Sequence, residues 1–352
     1  MESLRWKCNC LQSSLGRSLL LRARKRSFIF LVCGGFLLIH FWFGLKSGLR
    51  RIYLDERVFA GDDGSAEESH DVTQRLLERK ENLLQKCSEM EEKLETGGKE
   101  SIFKSMIKAK LLYNAEHKLM VCVVAKAGAS TWRRHMLTLL GLDEEDMQHT
   151  TKYAKLIEAK KMIDLREMKE VLQNPHTTWI MNTRHPLERL VSTYRDKFMD
   201  GNGVKEMKLI EYVRWMKIER DETYVNNSLT FQEFLEAVIL DNERNGRAGM
   251  SDYLRPSSTV CSPCALSYDY IIRTETFSED LACIANKLQL EGMDPALRVN
   301  NKLGGSRSTT YREYYKGIPY EVLRGIFFVY EEDFFLFGFD LPSFLLEALR
   351  EW

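Results

Sequence analysis

The chain has 352 residues, with 51 Lys plus Arg balancing 51 Asp plus Glu, 44% hydrophobic residues and eight cysteines. That balance by itself says nothing about partners, and no nucleic-acid partner is expected. The length allows one folded domain of about 240 residues beside the N-terminal segments.

Residues 27–45 form one apolar run, long enough at helical rise to span a bilayer. Arg17, Arg22, Arg24, Lys25 and Arg26 precede it, and fewer basic residues (Lys46, Arg50, Arg51) follow. The positive-inside bias then puts a tail of residues 1–26 in the cytosol and the rest of the chain in a lumen, as a single-pass type II protein. The run begins late, exceeds a usual signal-peptide core and lacks a small-x-small cleavage site, which favours an uncleaved signal anchor. Cys8 and Cys10 read as plain thiols, with acylation as the alternative.

Residues 46–109 read as a stem. Leu76, Leu83, Cys87, Met90 and Leu94 recur at three/four spacing, interrupted by Lys80, which predicts a short coiled coil within 73–95 that ends before Gly97-Gly98. A single solvated helix or a disordered stalk is an equal alternative. In the coil, Cys87 lies on the seam, where an oxidising compartment would allow an interchain disulfide and a homodimer. The lumenal cysteines Cys87, Cys122, Cys261, Cys264 and Cys283 are odd in number, leaving one for pairing between chains and three connectivities for the other four.

The expected lumenal domain is 110–352. Within it, Val121–Arg134 runs from a β-branched stretch through Lys126 and Gly128 into a helix opened by small hydroxyl residues. This is a strand–loop–helix suited to an anion: glycine admits backbone N–H groups, the helix N-terminus adds positive potential and Lys126 adds a charge. No Gly-Lys-Ser/Thr follows, so the loop is not a Walker A sequence and a P-loop kinase or NTPase is disfavoured. A second segment, Thr177–Phe198, has a β-type run ending at Arg184 and a helix begun by Pro186. Leu187, Leu190, Val191, Tyr194 and Phe198 share one face and are expected in the core. Arg184 and Ser192 are placed to reach one phosphate.

The two segments resemble the 5′-phosphosulfate loop and 3′-phosphate segment of the Golgi carbohydrate sulfotransferases that include the chondroitin and dermatan 4-O-sulfotransferases. Ala125–Arg134 resembles that family's Pro-Lys-x-Gly-(Cys/Ser)-(Thr/Ser)-Asn-Trp-Lys-Arg, and Arg184–Phe198 matches its second block almost completely. Cys261-Ser-Pro-Cys264, Tyr268–Ile271, Thr274–Thr276 and the closing Tyr330, Asp333, Phe334, Phe337 and Gly338 agree as well. Ala125 stands where Pro is usual, Thr131 where Asn is usual, and Tyr253-Leu254 where many relatives carry His-Trp, which opens acceptor identity.

The resemblance implies an α/β fold, a P-loop-like parallel sheet flanked by helices. It implies 3′-phosphoadenosine 5′-phosphosulfate as donor and no metal. The acceptor would be a glycan or proteoglycan hydroxyl, GalNAc of chondroitin- or dermatan-type chains, at the Golgi membrane. An N-glycan terminal sugar as acceptor, or an inactive donor-binding relative, are the alternatives. Lys126 would stabilise leaving-group charge. Ala127, Gly128, Ala129, Ser130 and Thr131 would cradle the 5′-phosphate, and Arg184 with Ser192 the 3′-phosphate. His149 is the candidate general base, Glu188 an alternative better read as an ion-pair partner, and His185 is expected near the nucleotide. His135 and Trp132 are expected to be structural. Arg189, Arg195 and Lys197 could meet a polyanionic glycan or pair with Asp196 and Glu188.

Strands are expected at Leu119–Val124, Thr177–Thr183 and Tyr268–Thr274. Helices are expected at Ser130–Leu140, Leu187–Phe198 and Ser278–Leu288, the last with a Thr276/Glu279 capping box. Asp143–Leu172 and Glu206–Asn242 read as helical insertions carrying acceptor surface, and Tyr320–Phe337 as an apolar helix on the sheet. Asn226-Asn227-Ser228 is an N-glycosylation sequon, predicting an exposed loop. Cys261 and Cys264 fit structural disulfides better than zinc or a redox pair.

Overall fold

The structure, a computed structural model, describes residues 72–91, 110–141, 170–171, 174–199, 211, 229–299 and 308–351. The tail, the apolar run 27–45, His149 and Asn226 lie outside the described residues, as do most of the two insertions. Among the described residues no helix is long and apolar enough to cross a membrane.

Four short strands form one sheet in the order β1-β2-β3-β4, with β1 Leu111–Asn114, β2 Leu119–Cys122, β3 Thr178–Thr183 and β4 Tyr270–Arg273. β2, β3 and β4 are parallel, as the strand–loop–helix reading requires. β1 is not: it pairs antiparallel with β2, so the sheet is mixed rather than wholly parallel. The hairpin closes through Ala115–Lys118, where Asn114 Oδ1 accepts the His117 N–H at 3.0 Å and Lys118 takes a left-handed φ of 47°. That turn lacks the Asn-Gly or Asp-Gly signal of a two-residue hairpin. The strands are buried on both faces, which is why their sequences run apolar rather than alternate.

Helices follow each parallel strand. Helix α2, Ala129–Thr138, follows β2; α3, Pro186–Lys197, follows β3; and α6, Phe277–Leu288, follows β4 through a 3₁₀ turn at Thr274–Thr276. Pro186 opens α3, with Glu188 in its first turn and Arg195 and Lys197 in its last, each complementing the helix dipole. Its predicted apolar face is buried throughout. The remaining helices are α1 Val72–Glu91, α4 Phe231–Gly249, α5 Ser257–Cys261, α7 Ser308–Tyr314, α8 Tyr320–Phe337 and α9 Ser343–Arg350. α8 packs on α4 and α9 and ends at Gly338, a left-handed C-cap.

One local expectation fails. Thr276 precedes α6 but makes no capping bond; its hydroxyl donates to Asp280 at 2.7 Å, and Glu279 pairs with Arg75 at 2.8 Å. A complete capping box forms instead at α4, where Thr230 and Glu233 exchange both bonds.

The stem reading is corrected most. α1 is a helix, but its Leu76, Leu83 and Cys87 stripe is buried against the domain, where it packs on β4, α6 and α8, rather than against a second chain. Cys87 is bonded to Cys264, and Cys122 to Cys261, leaving Cys283 as the odd cysteine. Cys87 is therefore not free for an interchain bond. Cys261 and Cys264 belong to different disulfides, which agrees with a structural role and removes a redox pair.

Candidate active site

The loop after β2 is shaped by two residues in left-handed backbone, Lys126 at φ 66° and Gly128 at φ 87°. Gly128 is required twice over. A Cβ there would collide with Asn182 Nδ2, and the positive φ disfavours any other side chain. Asn182, fully buried on β3, donates from that nitrogen to the Ala127 carbonyl, so β3 fixes the loop on β2. Ala127 is itself buried under the loop. Beyond it the first turn of α2 presents N–H groups that helix geometry leaves without intrahelical partners. Trp132 packs edge-on against Phe277 behind the loop, in the core as expected.

Arg184 leaves the end of β3 and reaches back to the loop, donating to the Lys126 carbonyl at 3.3 Å. Its Nε lies 3.5 Å from Glu188 Oε2, an ion pair one helical turn apart. Burial lowers the Arg184 pKa and raises that of Glu188, each partly offset by the other's charge. Lys126 Nζ lies 3.2 Å from Asp196 Oδ2. Burial lowers the Lys126 pKa against the pull of Asp196. Burial pushes Asp196 up, but Lys197 and Lys126 outweigh it and hold its pKa below the usual carboxylate range.

Lys126, Arg184, Asp196 and Lys197 line one cleft of about 900 Å³, the size of a site for a nucleotide. Lys126, Gly128, Ala129, Ser130, Thr131, Arg184 and Ser192 all face it. Its wall also carries Lys110, Arg133, Arg195, Lys197 and Arg298, so seven cations meet only two carboxylates, Asp196 and Asp252. The excess of positive charge suits a polyanion. The Thr131 hydroxyl is engaged, accepting the Val299 N–H at 3.2 Å, and so ties α2 to the segment after α6.

Other candidates fall elsewhere. His185 points away from the cleft, ringed by Tyr311, Phe334 and Phe339, with Nε2 3.1 Å from the Asp340 carbonyl; burial pushes its pKa down to about 4. It packs α3 on α8 rather than meeting a nucleotide. His135 is buried beside Trp132 and Phe277, its pKa likewise pushed down by burial to about 4. No histidine lines the cleft among the described residues. Arg189 is 1% exposed, donates to the carbonyls of Tyr253, Leu254 and Arg255 and stacks on Tyr330, so it cannot meet a glycan.

The closing sequence block turns out to hold the same segment. Tyr330 Oη donates to the Leu254 carbonyl at 2.6 Å, and Asp333 accepts the Ser257 and Ser258 N–H groups at 2.8 Å each, at the start of α5. Tyr253 thereby reaches the cleft wall, where Lys197 lies 4.9 Å over its ring.

The sulfotransferase family profile matches residues 109–340, which contain every strand of the sheet and the whole cleft. The chain belongs to the sulfotransferase family. Among its relatives, human carbohydrate sulfotransferase 9 is 30% identical over 241 residues, covering 64% of this chain and 52% of its own. Zebrafish carbohydrate sulfotransferase 14 is 26% identical over 246 residues, covering 68% and 65%. Carbohydrate sulfotransferase 12 of Xenopus laevis is 24% identical over 302 residues, covering 77% and 70%. The chain thus spans between about half and two thirds of the length of the first two. No solved structure matches it significantly.

Residues of the loop and cleft that the sequence reading passed over are Asn182, Lys110, Asp252 and Arg298. Asn182 left a signal: a polar side chain directly after the apolar run Trp179–Met181, still within the strand, must find a partner inside. The others left none, since each reaches the cleft through folding of a distant segment.

Proposed function

We propose that this chain is a carbohydrate O-sulfotransferase, moving a sulfuryl group from 3′-phosphoadenosine 5′-phosphosulfate to a glycan hydroxyl as a Golgi enzyme anchored by residues 27–45. The acceptor class that the sequence resemblance implies is GalNAc of chondroitin- or dermatan-type chains. One observation carries the reading: the Lys126–Thr131 loop and the Arg184/Ser192 segment, remote in sequence, line the same cationic cleft.

The residues present fit such a donor. Gly128, Ala129, Ser130 and Thr131 would hold the 5′-phosphate on the loop and the N-terminus of α2. Arg184 and Ser192 would hold the 3′-phosphate, the group that separates this donor from ATP. Lys126 would neutralise charge as it develops on the leaving phosphate oxygen, a contribution of electrostatic preorganisation that needs no metal. His149, the base that the sequence resemblance suggests, lies outside the described residues.

Titration with 3′-phosphoadenosine 5′-phosphate against ATP tests the donor site. The bisphosphate binds preferentially, and Arg184→Ala weakens it by about tenfold or more while leaving ATP little changed. Equal binding of both nucleotides, or an Arg184→Ala variant that keeps the preference, would remove the assignment.

A further inference from the structure

Two carboxylates line the cleft, and the one that touches Lys126 has no role so far. Asp196 sits on the last turn of α3 and lines the cleft. Its Oδ2 takes both neighbouring ammonium groups, Lys126 at 3.2 Å and Lys197 at 3.1 Å. No group among the described residues is bonded to its other oxygen. The second carboxylate of the cleft, Asp252, is held by Lys110 at 2.6 Å and Arg255 at 3.4 Å, neither of which the donor reading recruits.

We infer that Asp196 is a catalytic residue, a donor-gated general base that takes the proton from the acceptor hydroxyl. The inference rests on the proposed sulfotransferase activity. In the donor-free site Lys126 neutralises Asp196. Donor binding draws the Lys126 ammonium to the phosphosulfate, so Asp196 loses one of two cations and faces added negative charge. Both changes strengthen it as a base. The position follows from the same geometry. The acceptor hydroxyl must lie next to the sulfuryl group, and the group that neutralises the leaving oxygen starts 3.2 Å from Asp196. In the step the acceptor O–H bond breaks and its proton goes to the Asp196 carboxylate. The acceptor oxygen forms a bond to sulfur. The bond from sulfur to the bridging oxygen breaks, and its electron pair leaves on the 5′-phosphate beside Lys126. Lys197 remains on Asp196 throughout, which keeps the carboxylate ionised before the acceptor arrives.

This assignment differs from a role in merely parking Lys126, because loss of a parking group leaves turnover of bound donor near normal and loss of a base does not. Full chain in detergent is assayed with radiolabelled donor against desulfated chondroitin, desulfated dermatan and a GalNAc-terminated N-glycan, and by calorimetry with 3′-phosphoadenosine 5′-phosphate. Asp196→Asn lowers kcat on the labelled glycan by about 100-fold or more, as loss of a general base does. The bisphosphate binds it as tightly as wild type or tighter, since Lys126 is released. Asp196→Glu recovers part of kcat. Near-normal turnover in Asp196→Asn overturns the inference, as does a fall in bisphosphate affinity that matches the fall in turnover. A wild-type chain that neither binds bisphosphate nor labels any glycan overturns the proposed activity itself, and the inference with it.

Discussion

Two charged regions of the molecule, the cleft and the interface between α1 and α6, use the same chemistry to opposite ends. On the cleft side, Lys126–Asp196 and Arg184–Glu188 are separated by 3.2 and 3.5 Å, and burial lowers the pKa of both cations. On the α1 side, Asp280 is fully buried and binds Arg79 at 2.6 Å and Arg75 at 2.9 Å. Arg79 also donates to Thr276 Oγ1 and the Ile271 carbonyl, and Thr276 donates to Asp280. The Cys87–Cys264 disulfide closes the same interface. Long, under-bonded pairs are ready to exchange a carboxylate for phosphate; short, satisfied ones are not. The comparison teaches that partner count and distance, more than the presence of an ion pair, separate a binding wall from a structural one.

Lys126→Ala sharpens the comparison most on the cleft side. Glycan labelling should fall by about 100- to 1000-fold with the thermal midpoint nearly unchanged, because the charge acts on the reaction and not on the fold. Asp280→Ala breaks the other side. It leaves two arginines without their buried partner and should cost about 3 kcal/mol in a denaturant titration, with donor affinity affected only through the looser β4 end. A lumenal fragment begun near residue 100 would lose α1 and expose the same carboxylate. Gly128→Ala should cost about 1–3 kcal/mol, since it forces a strained φ and meets Asn182; loss of bisphosphate binding should exceed that loss of stability.

The smallest effect is on pH dependence. His135 is neutral in the fold, with its pKa lowered from 6.5 to about 4 by burial, Asp294 opposing and Arg298 adding. The unfolded chain therefore takes up the proton first. The contribution of the neutral ring is whole above the unfolded pKa of 6.5 and is lost as pH falls toward 4. At about pH 5 the loss is about 2 kcal/mol, and His135→Phe should remove that part of the acid slope measured by urea unfolding. An unchanged slope would place the acid sensitivity in His185 or the carboxylates.

The sequence by itself determined what is local. The Lys126–Thr131 loop, the Pro186 helix start, the buried face of α3 and the three parallel strands follow from periodicity, backbone chemistry and turn residues, which act over a few positions. The family resemblance marked the two segments that line the cleft. What only the tertiary structure decided is which surfaces meet. A three/four apolar stripe on α1 reads the same whether it faces a second chain or its own sheet, and only packing assigned it to the latter. Cys87 could pair with any thiol until a contact spanning 177 residues brought Cys264 within bonding distance. Arg189 and Asp333, charged residues that a sequence places outside, are buried because carbonyls and N–H groups of residues 253–258 satisfy them there. The approach of Asp196 to Lys126 has the same origin. It needs β2 and α3 side by side, and hydrogen bonding between β2 and β3 is what puts them there.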